Sequence, residues 1–207
     1  MKIYLTPVSN IKPTQITVGF IEVQYKKQKL SQLSSLSLKR YLKEHPIPAV
    51  IGPKSQLYLT DKHHMAKALI ELNIKNCYFT VQHNFSDIPE HKFFSVLEVL
   101  ELIHPYDENG NKVNISLIPS SIKELKDDPY RSLASFVKRN HGFIKIPKPY
   151  IEFLWADFLR QHISVEEINK DITKATKKAT QICTSEKASH LLGYIHHNYS
   201  KNKTSIF

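Results

Sequence analysis

The chain has few residues of the kinds that stabilise small secreted proteins or build structural zinc sites. It contains only two cysteines in 207 residues, Cys77 and Cys183, and no CxxC motif. Two cysteines do not make a disulfide framework, and zinc-ribbon and thioredoxin-like sites need CxxC pairs. The cysteine content therefore favours a protein of a reducing compartment.

Long apolar runs are also absent from the sequence. No stretch reaches the roughly 18 consecutive apolar residues of a membrane-spanning helix. The first seven residues, MKIYLTP, are too few and too polar for the apolar region of a signal peptide. We therefore expect a cytoplasmic protein without a membrane partner, although a secretion signal that is not hydrophobic would leave no trace in this pattern.

The overall composition is that of a basic globular protein. Hydrophobic residues make up 41% of the chain and charged residues 23%, which excludes a disordered chain. The length suits one domain, or one domain with a helical extension. The net charge of +10 favours an anionic partner such as nucleic acid, a nucleotide or an acidic surface. Because the lysines are spread along the chain, an ordinary lysine-rich soluble protein remains the alternative.

The most informative stretch lies between residues 48 and 64. Ala49–Ile51 and Leu57–Leu59 are apolar and partly β-branched, and the Gly-Pro-containing segment 52–55 between them predicts a turn. Asp61 then has the residue type of a helix N-cap, and an apolar helical pattern follows it. The sequence therefore predicts strand, turn, strand and the start of a helix.

The predicted helix start carries four polar residues, Asp61-Lys62-His63-His64. The N-terminus of a helix attracts anions through its backbone N–H groups and its dipole. Lys62 and two imidazoles would add hydrogen-bond donors, which favours a phosphate pocket. The alternative is an ordinary capped helix with two surface histidines.

The type of periodicity changes near residue 85. Residues 1–84 alternate between strand and helix patterns, with a predicted strand over residues 16–23 that includes Glu22, whereas the later residues show helical spacing. We expect an α+β protein with a small mixed sheet and helices in residues 1–84. A helical region over residues 85–199 should pack on it, and residues 200–207 should form a loose tail.

The order of these features resembles the ParB/sulfiredoxin superfamily. A proline-containing segment precedes the first helix, and a strand, a Gly-Pro turn, a second strand and a histidine-bearing helix start follow. The residues that carry this resemblance are Pro13-Thr14-Gln15, Pro48, Gly52-Pro53, Leu57-Tyr58-Leu59 and Asp61-Lys62-His63-His64. In the superfamily this helix start binds the phosphates of a nucleotide. The resemblance therefore implies a sulfiredoxin-like mixed sheet and a phosphate site at the same place.

Two stretches of the second half narrow the resemblance to the ParB-like nuclease family. They are DDPYRSLA at residues 127–134 and EFLWADFLR at residues 152–160, so the resemblance extends over nearly the whole chain up to Arg160. It implies an enzyme acting on phosphate esters, either a nuclease or a phosphoryl transferase. The partner would be a nucleotide or the phosphates of a nucleic acid.

The resemblance and the residue chemistry together suggest roles for six residues. We expect His63, His64 and Glu22 to be catalytic, because a histidine can donate or accept a proton near neutral pH. The phosphate-binding set would be Asp61, Lys62, His63, His64 and Gln15. A nucleotide, or a divalent metal held by Asp61 and a histidine, is the cofactor that such a site would use.

Three departures from the superfamily pattern favour a different function. Lys62 stands where Gly is frequent, and Met65 stands where an Arg often follows the second His. Gln15 stands where related ADP-dependent serine kinases have a catalytic Glu. An amide cannot act as a general base, and lysine only partly replaces a bidentate arginine. The alternative is therefore a non-catalytic module that binds a nucleotide or a nucleic acid.

A second polar cluster is predicted in the helical half. Its members are Asp128, Arg131, Glu152 and Asp157. Arg131 with a carboxylate would make a strong bidentate pair. The cluster is either a second functional site or a set of ion pairs that joins helices.

Overall fold

The computed structural model describes residues 2–196. By their internal contacts, the residues form two compact units, the first ending at Asp127 and the second beginning at Asp128. A mixed sheet with helices in the first unit and helices in the second confirm the predicted α+β class. The expected tail at residues 200–207 lies outside the described residues.

The first unit contains a five-stranded sheet and a separate pair of short strands. The strands are β1 (Tyr4–Pro7), β2 (Ile11–Lys12), β3 (Thr17–Val18), β4 (Ile47–Ile51), β5 (Leu57–Leu59), β6 (Asn76–Asn84) and β7 (Lys126–Asp127). The order in the large sheet is β1-β6-β4-β5-β2, and β3 pairs with β7. β6 and β4 run parallel, as do β5 and β2, whereas β1–β6 and β4–β5 are antiparallel. The predicted strand-turn-strand arrangement of residues 48–59 is therefore the β4–β5 hairpin.

Four helices complete the first unit. They are α1 (Phe20–Ser31), α2 (Ser35–Glu44), α3 (His63–Glu71) and α4 (Glu90–Val99). α1 and α3 lie against each other. Every residue of α3 from His63 to Leu69 is buried. Because α3 is covered on nearly all sides, its polar residues also lie inside the protein.

The predicted strand over residues 16–23 is wrong beyond Val18. Gly19 is the N-cap of α1, so Glu22 lies in the first turn of a helix. The β-branched residues Thr17 and Val18 do adopt extended backbone, but the Gln, Lys and Leu residues that follow are good helix formers. Helix propensity therefore ends the strand after two residues.

The boundary between the two compact units lies after Asp127 rather than near residue 84. Phe93 and Leu97 on α4 belong to a buried cluster with Val50 of β4, and Tyr58 of β5 packs against it. β7 lies further along the chain and pairs with β3. Residues 85–127 therefore contribute to the same core as the sheet.

Gly52, in the hairpin turn, is packed too tightly to accept a side chain. A Cβ at this position would lie 2.7 Å from the Phe93 ring and 2.7 Å from the Tyr58 ring. Gly52→Ala should therefore lower the free energy of unfolding by about 1–3 kcal/mol, as overpacking does. In urea denaturation the same substitution should cost less in a Phe93→Leu background, and equal costs in the two backgrounds would contradict this explanation.

The second unit is helical, as predicted. Its helices are α5 (Pro129–Arg139), α6 (Ile151–Arg160), α7 (Val165–Lys170) and α8 (Ile172–Cys183). α5 packs on α6 and α8. Trp155 is fully buried and stacks on Phe143, with ring centroids 4.5 Å apart. Within residues 2–196, no helix has the length and apolar character needed to cross a membrane.

Candidate phosphate site at the start of helix α3

The cap of α3 differs from the prediction by one residue. Lys62, not Asp61, occupies the N-cap position, and its side chain makes no capping hydrogen bond. The exposed Asp61 instead accepts a hydrogen bond from the backbone N–H of Lys62, at 2.6 Å from its Oδ1. The chain turns sharply at Lys62, which moves the first helical residue to His63.

Lys62 adopts a left-handed backbone conformation with φ 63° and ψ 29°. A residue with a Cβ pays roughly 1–2 kcal/mol for this conformation, whereas glycine adopts it readily. This agrees with the glycine that is frequent here in the superfamily. Lys62 is half-buried, and its Nζ donates to the backbone carbonyl of Pro46 at 2.8 Å. The backbone of Lys62 thus precedes the first turn of α3, and its ammonium group lies at the Pro46 carbonyl, just before β4.

The two histidines are buried, which excludes the alternative that they are surface residues. His63 is 4% exposed and His64 is 9% exposed. The Nε2 of His63 accepts a hydrogen bond from the backbone N–H of Thr14 at 3.1 Å. The Nε2 of His64 accepts one from the backbone N–H of Gly19 at 2.9 Å. Both imidazoles thus contact the backbone of one early segment.

Gln15 and Glu22 lie on or next to that same segment. Gln15 is 4% exposed, and its Nε2 donates to the carbonyl of Thr17 at 2.5 Å. Glu22 is 2% exposed and forms an ion pair with Lys26 at 3.3 Å. Of the six predicted site residues, only Asp61 is exposed and only Lys62 is half-buried. Direct access for a ligand is therefore greatest at Asp61 and Lys62.

Lys67 is a polar residue of this region that the sequence interpretation missed. It is buried one turn after His63, and its Nζ donates to the Lys123 carbonyl at 3.0 Å and lies 4.9 Å from the Phe20 ring. Burial lowers the pKa of Lys67, and the charge of Glu71, 3.8 Å away, opposes this shift. The spacing of four residues from His63 on one helix face was the available signal.

The residues that the structure describes contain no group of three His, Cys, Asp or Glu side chains placed to bind a metal ion. Cys77 is buried in the core of the first unit, and burial raises the pKa of its thiol to about 12. A thiol of this kind is neutral and does not act as a metal ligand or nucleophile at neutral pH.

The second predicted cluster is organised around an arginine that the sequence interpretation did not include. Asp128 caps α5 by accepting from the Tyr130 N–H at 3.0 Å, and its Oδ2 accepts from Arg160 at 2.9 Å. Arg160 also lies 3.6 Å from Asp157, one turn earlier on α6. Asp128 and Arg160 therefore join the start of α5 to the end of α6.

The other two members of the cluster lie on the same pair of helices. The guanidinium of Arg131 stacks on the Phe153 ring, 3.1 Å from its centroid. Glu152 forms an ion pair with Lys138. Burial alone would raise the pKa of Glu152. The positive charges of Lys138 and, to a smaller extent, Arg131 lower it by more, so the pKa of Glu152 is lowered. The charge of Arg131 also acts on Asp128 and Asp157.

Burial is the largest influence on the pKa of each of the two aspartates in the cluster. It raises the pKa of Asp128 and of Asp157, and in each case the charge of Arg160 is the largest opposing influence. These contacts agree with the interpretation of the cluster as ion pairs that join helices α5 and α6.

A mixed sheet followed by helices, with paired histidines opening the helix after the β4–β5 hairpin, is the arrangement of a ParB-like domain. The family model described as "Putative ParB-like nuclease" matches residues 5–161, and the chain belongs to this family. The crystal structure of protein Atu1540 from Agrobacterium tumefaciens is similar, with 33% sequence identity and a TM-score of 0.88. The match covers 94% of this chain and 97% of that one. No curated protein matches the sequence.

Proposed function

We propose that this protein binds phosphate groups of a nucleotide or a nucleic acid at the start of α3. The observation that carries the proposal is the position of Lys62, a half-buried residue that forms the N-cap of a nine-residue helix and whose Nζ donates to the Pro46 carbonyl. No acidic residue lies in the first turn of that helix, so its dipole is not offset from within. The helix end and the lysine both favour an anion.

Lys62 contributes a positive charge next to the helix start, and its Nζ donates to the Pro46 carbonyl. An ammonium group attracts phosphate through this charge as well as through hydrogen bonds. Asp61 is exposed next to Lys62 and carries a negative charge that repels phosphate. Its carboxylate would instead bind the divalent cation that commonly accompanies a nucleotide. Pyrophosphate with Mg²⁺ reproduces the diphosphate and the cation of such a ligand, so it is the probe in the experiments that follow.

Cleavage or transfer of phosphate esters is the second candidate function, and Glu22 favours it. Its carboxylate is buried in the first turn of α1, three residues after Gly19, whose N–H bonds to His64. A buried carboxylate can serve as a general base. Glu22→Gln should then abolish cleavage of an oligonucleotide or nucleotide but preserve binding. Cleavage that persists in this variant would remove Glu22 from the mechanism.

The binding proposal predicts that Lys62→Asn weakens binding of pyrophosphate by about tenfold or more, because one charge-assisted hydrogen bond is lost. Asparagine tolerates the left-handed backbone better than most residues, so the turn should survive. Isothermal titration calorimetry measures the affinity. The matched control is Lys54→Asn, because Lys54 also has positive φ, at 57°, and its side chain is 79% exposed. Equal losses in the two variants would show that only the net charge matters.

If nucleic acid is the partner, affinity for single-stranded DNA should fall steeply as salt rises. Each phosphate contact releases counterions, so the logarithm of the affinity falls linearly with the logarithm of the salt concentration. Fluorescence anisotropy at several salt concentrations measures this slope. Binding that does not change with salt, or no binding even at low salt, would leave nucleotides as the remaining phosphate ligands.

A further inference from the structure

The segment from Pro13 to Gly19 is completely buried, and its backbone is irregular except at the two residues of β3. A buried backbone N–H without an acceptor costs about as much as a lost hydrogen bond. Irregular backbone cannot obtain all its acceptors from a sheet, so side chains must supply them. The N–H groups of Thr14 and Gly19 obtain theirs from two adjacent residues of α3.

We propose that His63 and His64 are positioning residues that hold the segment 14–19 against the start of α3. They act through this segment rather than by touching the phosphate themselves. Thr14 and Gly19 lie five residues apart, and the two imidazoles bind one at each end. The phosphate-binding readout of this inference rests on the proposed function, whereas the hydrogen bonds themselves can be measured independently.

The geometry defines the chemical form of both rings. A nitrogen that accepts a backbone N–H carries no proton, so each imidazole is neutral with its proton on Nδ1. The Thr14 hydroxyl does not compete for His63, because it donates to the Leu59 carbonyl at 2.7 Å and lies 3.5 Å from His63 Nε2. Only a side chain with an acceptor at the Nε2 position can therefore replace either histidine.

The consequence for the site is that two helix starts are joined. α1 begins directly after Gly19, and its first N–H, that of Phe20, donates to Asp127 at 2.7 Å. At the other end of the segment, the Thr14 carbonyl accepts from the His104 N–H at 2.8 Å. The histidines thus connect an anchored segment to the residues next to Lys62, which fixes the edge of the site before a ligand arrives.

The test compares His64→Gln with His64→Leu. The Gln Oε1 can accept the Gly19 N–H, whereas Leu fills a similar volume without an acceptor. Hydrogen exchange followed by NMR should show the Gly19 amide exchanging on the order of tenfold faster or more in the Leu variant, with most of the protection restored in the Gln variant. The affinity for pyrophosphate should follow the same order. The Thr14 amide, which His63 holds, is the internal control.

Equal protection of Gly19 in the Gln and Leu variants would overturn the inference, because the histidine would then only fill space. If the Leu variant does not fold, the ring ¹⁵N chemical shifts of the wild type still test the inference. The ring ¹⁵N chemical shifts of wild-type His63 and His64 should show an unprotonated Nε2, and a protonated Nε2 would overturn the inference. If the wild type binds no pyrophosphate, the proposed function fails, whereas Gly19 exchange and the ring shifts still test the positioning role.

Discussion

Replacing both His63 and His64 by alanine should lower the free energy of unfolding by about 4–6 kcal/mol. Two buried backbone N–H groups lose their acceptors, at about 1–3 kcal/mol each, and the missing rings leave cavities in a packed region. This is a large fraction of the stability of a typical domain, so a largely unfolded variant at 37 °C is within the expected range. Urea denaturation followed by circular dichroism measures the change.

The matched control is the double variant His83→Ala, His91→Ala. Both of these histidines are exposed residues of the same unit, so their removal should change stability by about 0.5 kcal/mol or less. A double variant of His63 and His64 that melts like this control would show that the two imidazoles contribute little, as surface histidines would. The sequence left surface histidines open as an alternative, and the burial of both rings excludes that alternative.

Arg160→Met should lower the free energy of unfolding by about 3–5 kcal/mol at neutral pH. Asp128 is 2% exposed, and the substitution leaves its carboxylate buried without the cation that binds its Oδ2. Arg160 also lies over the Tyr130 ring, 4.5 Å from the centroid, so the variant loses that contact too. Methionine preserves most of the side-chain volume, which limits the loss from packing.

The cost of Arg160→Met should depend on pH in a defined direction. The pKa of Asp128 is already raised in the folded protein, and Arg160 is the main influence that holds it down. A carboxyl whose pKa is higher in the folded than in the unfolded protein adds most to the free energy of unfolding at pH values below its unfolded pKa. This contribution is lost as the pH rises through the folded pKa. Without Arg160 the pKa rises further, so the variant should lose less stability at about pH 4 than at pH 7.

The control for this prediction is Arg139→Met. Arg139 is exposed on α5 and its guanidinium also lies over an aromatic ring, that of Phe136, at 4.3 Å. Its removal should cost much less than removal of Arg160, with no comparable change between the two pH values. A pH-independent loss in the Arg160 variant would indicate that packing, rather than the charge of Asp128, accounts for the effect.

Local sequence patterns predicted much of the fold. The β4–β5 hairpin follows from two short apolar runs around a Gly-Pro turn. Asp128 caps α5, and Ser164 with Glu167 forms a capping box at the start of α7, as the types and spacing of these residues indicate. These features depend on residues within a few positions of one another, so a single sequence contains the information that specifies them.

The features that the sequence did not predict depend on backbone strain or on distant contacts. The left-handed conformation of Lys62 places the N-cap one residue after Asp61, and no local pattern indicates a strained lysine. The bonds of His63 and His64 reach residues 49 and 45 positions away along the chain. The partner of Asp128 is 32 positions away. The motif therefore suggested the candidate site residues, whereas their burial and their partners could not be read from it.

The most direct test of the central claim is a titration of ¹⁵N-labelled protein with pyrophosphate, followed by amide chemical shifts. Phosphate binding at the start of α3 predicts that the largest changes occur at Asp61–Met65, with smaller changes in the segment 14–19 that the histidines hold. Changes that centre on another surface, such as the lysine-rich α8, or no changes at all at millimolar pyrophosphate, would contradict the proposed site.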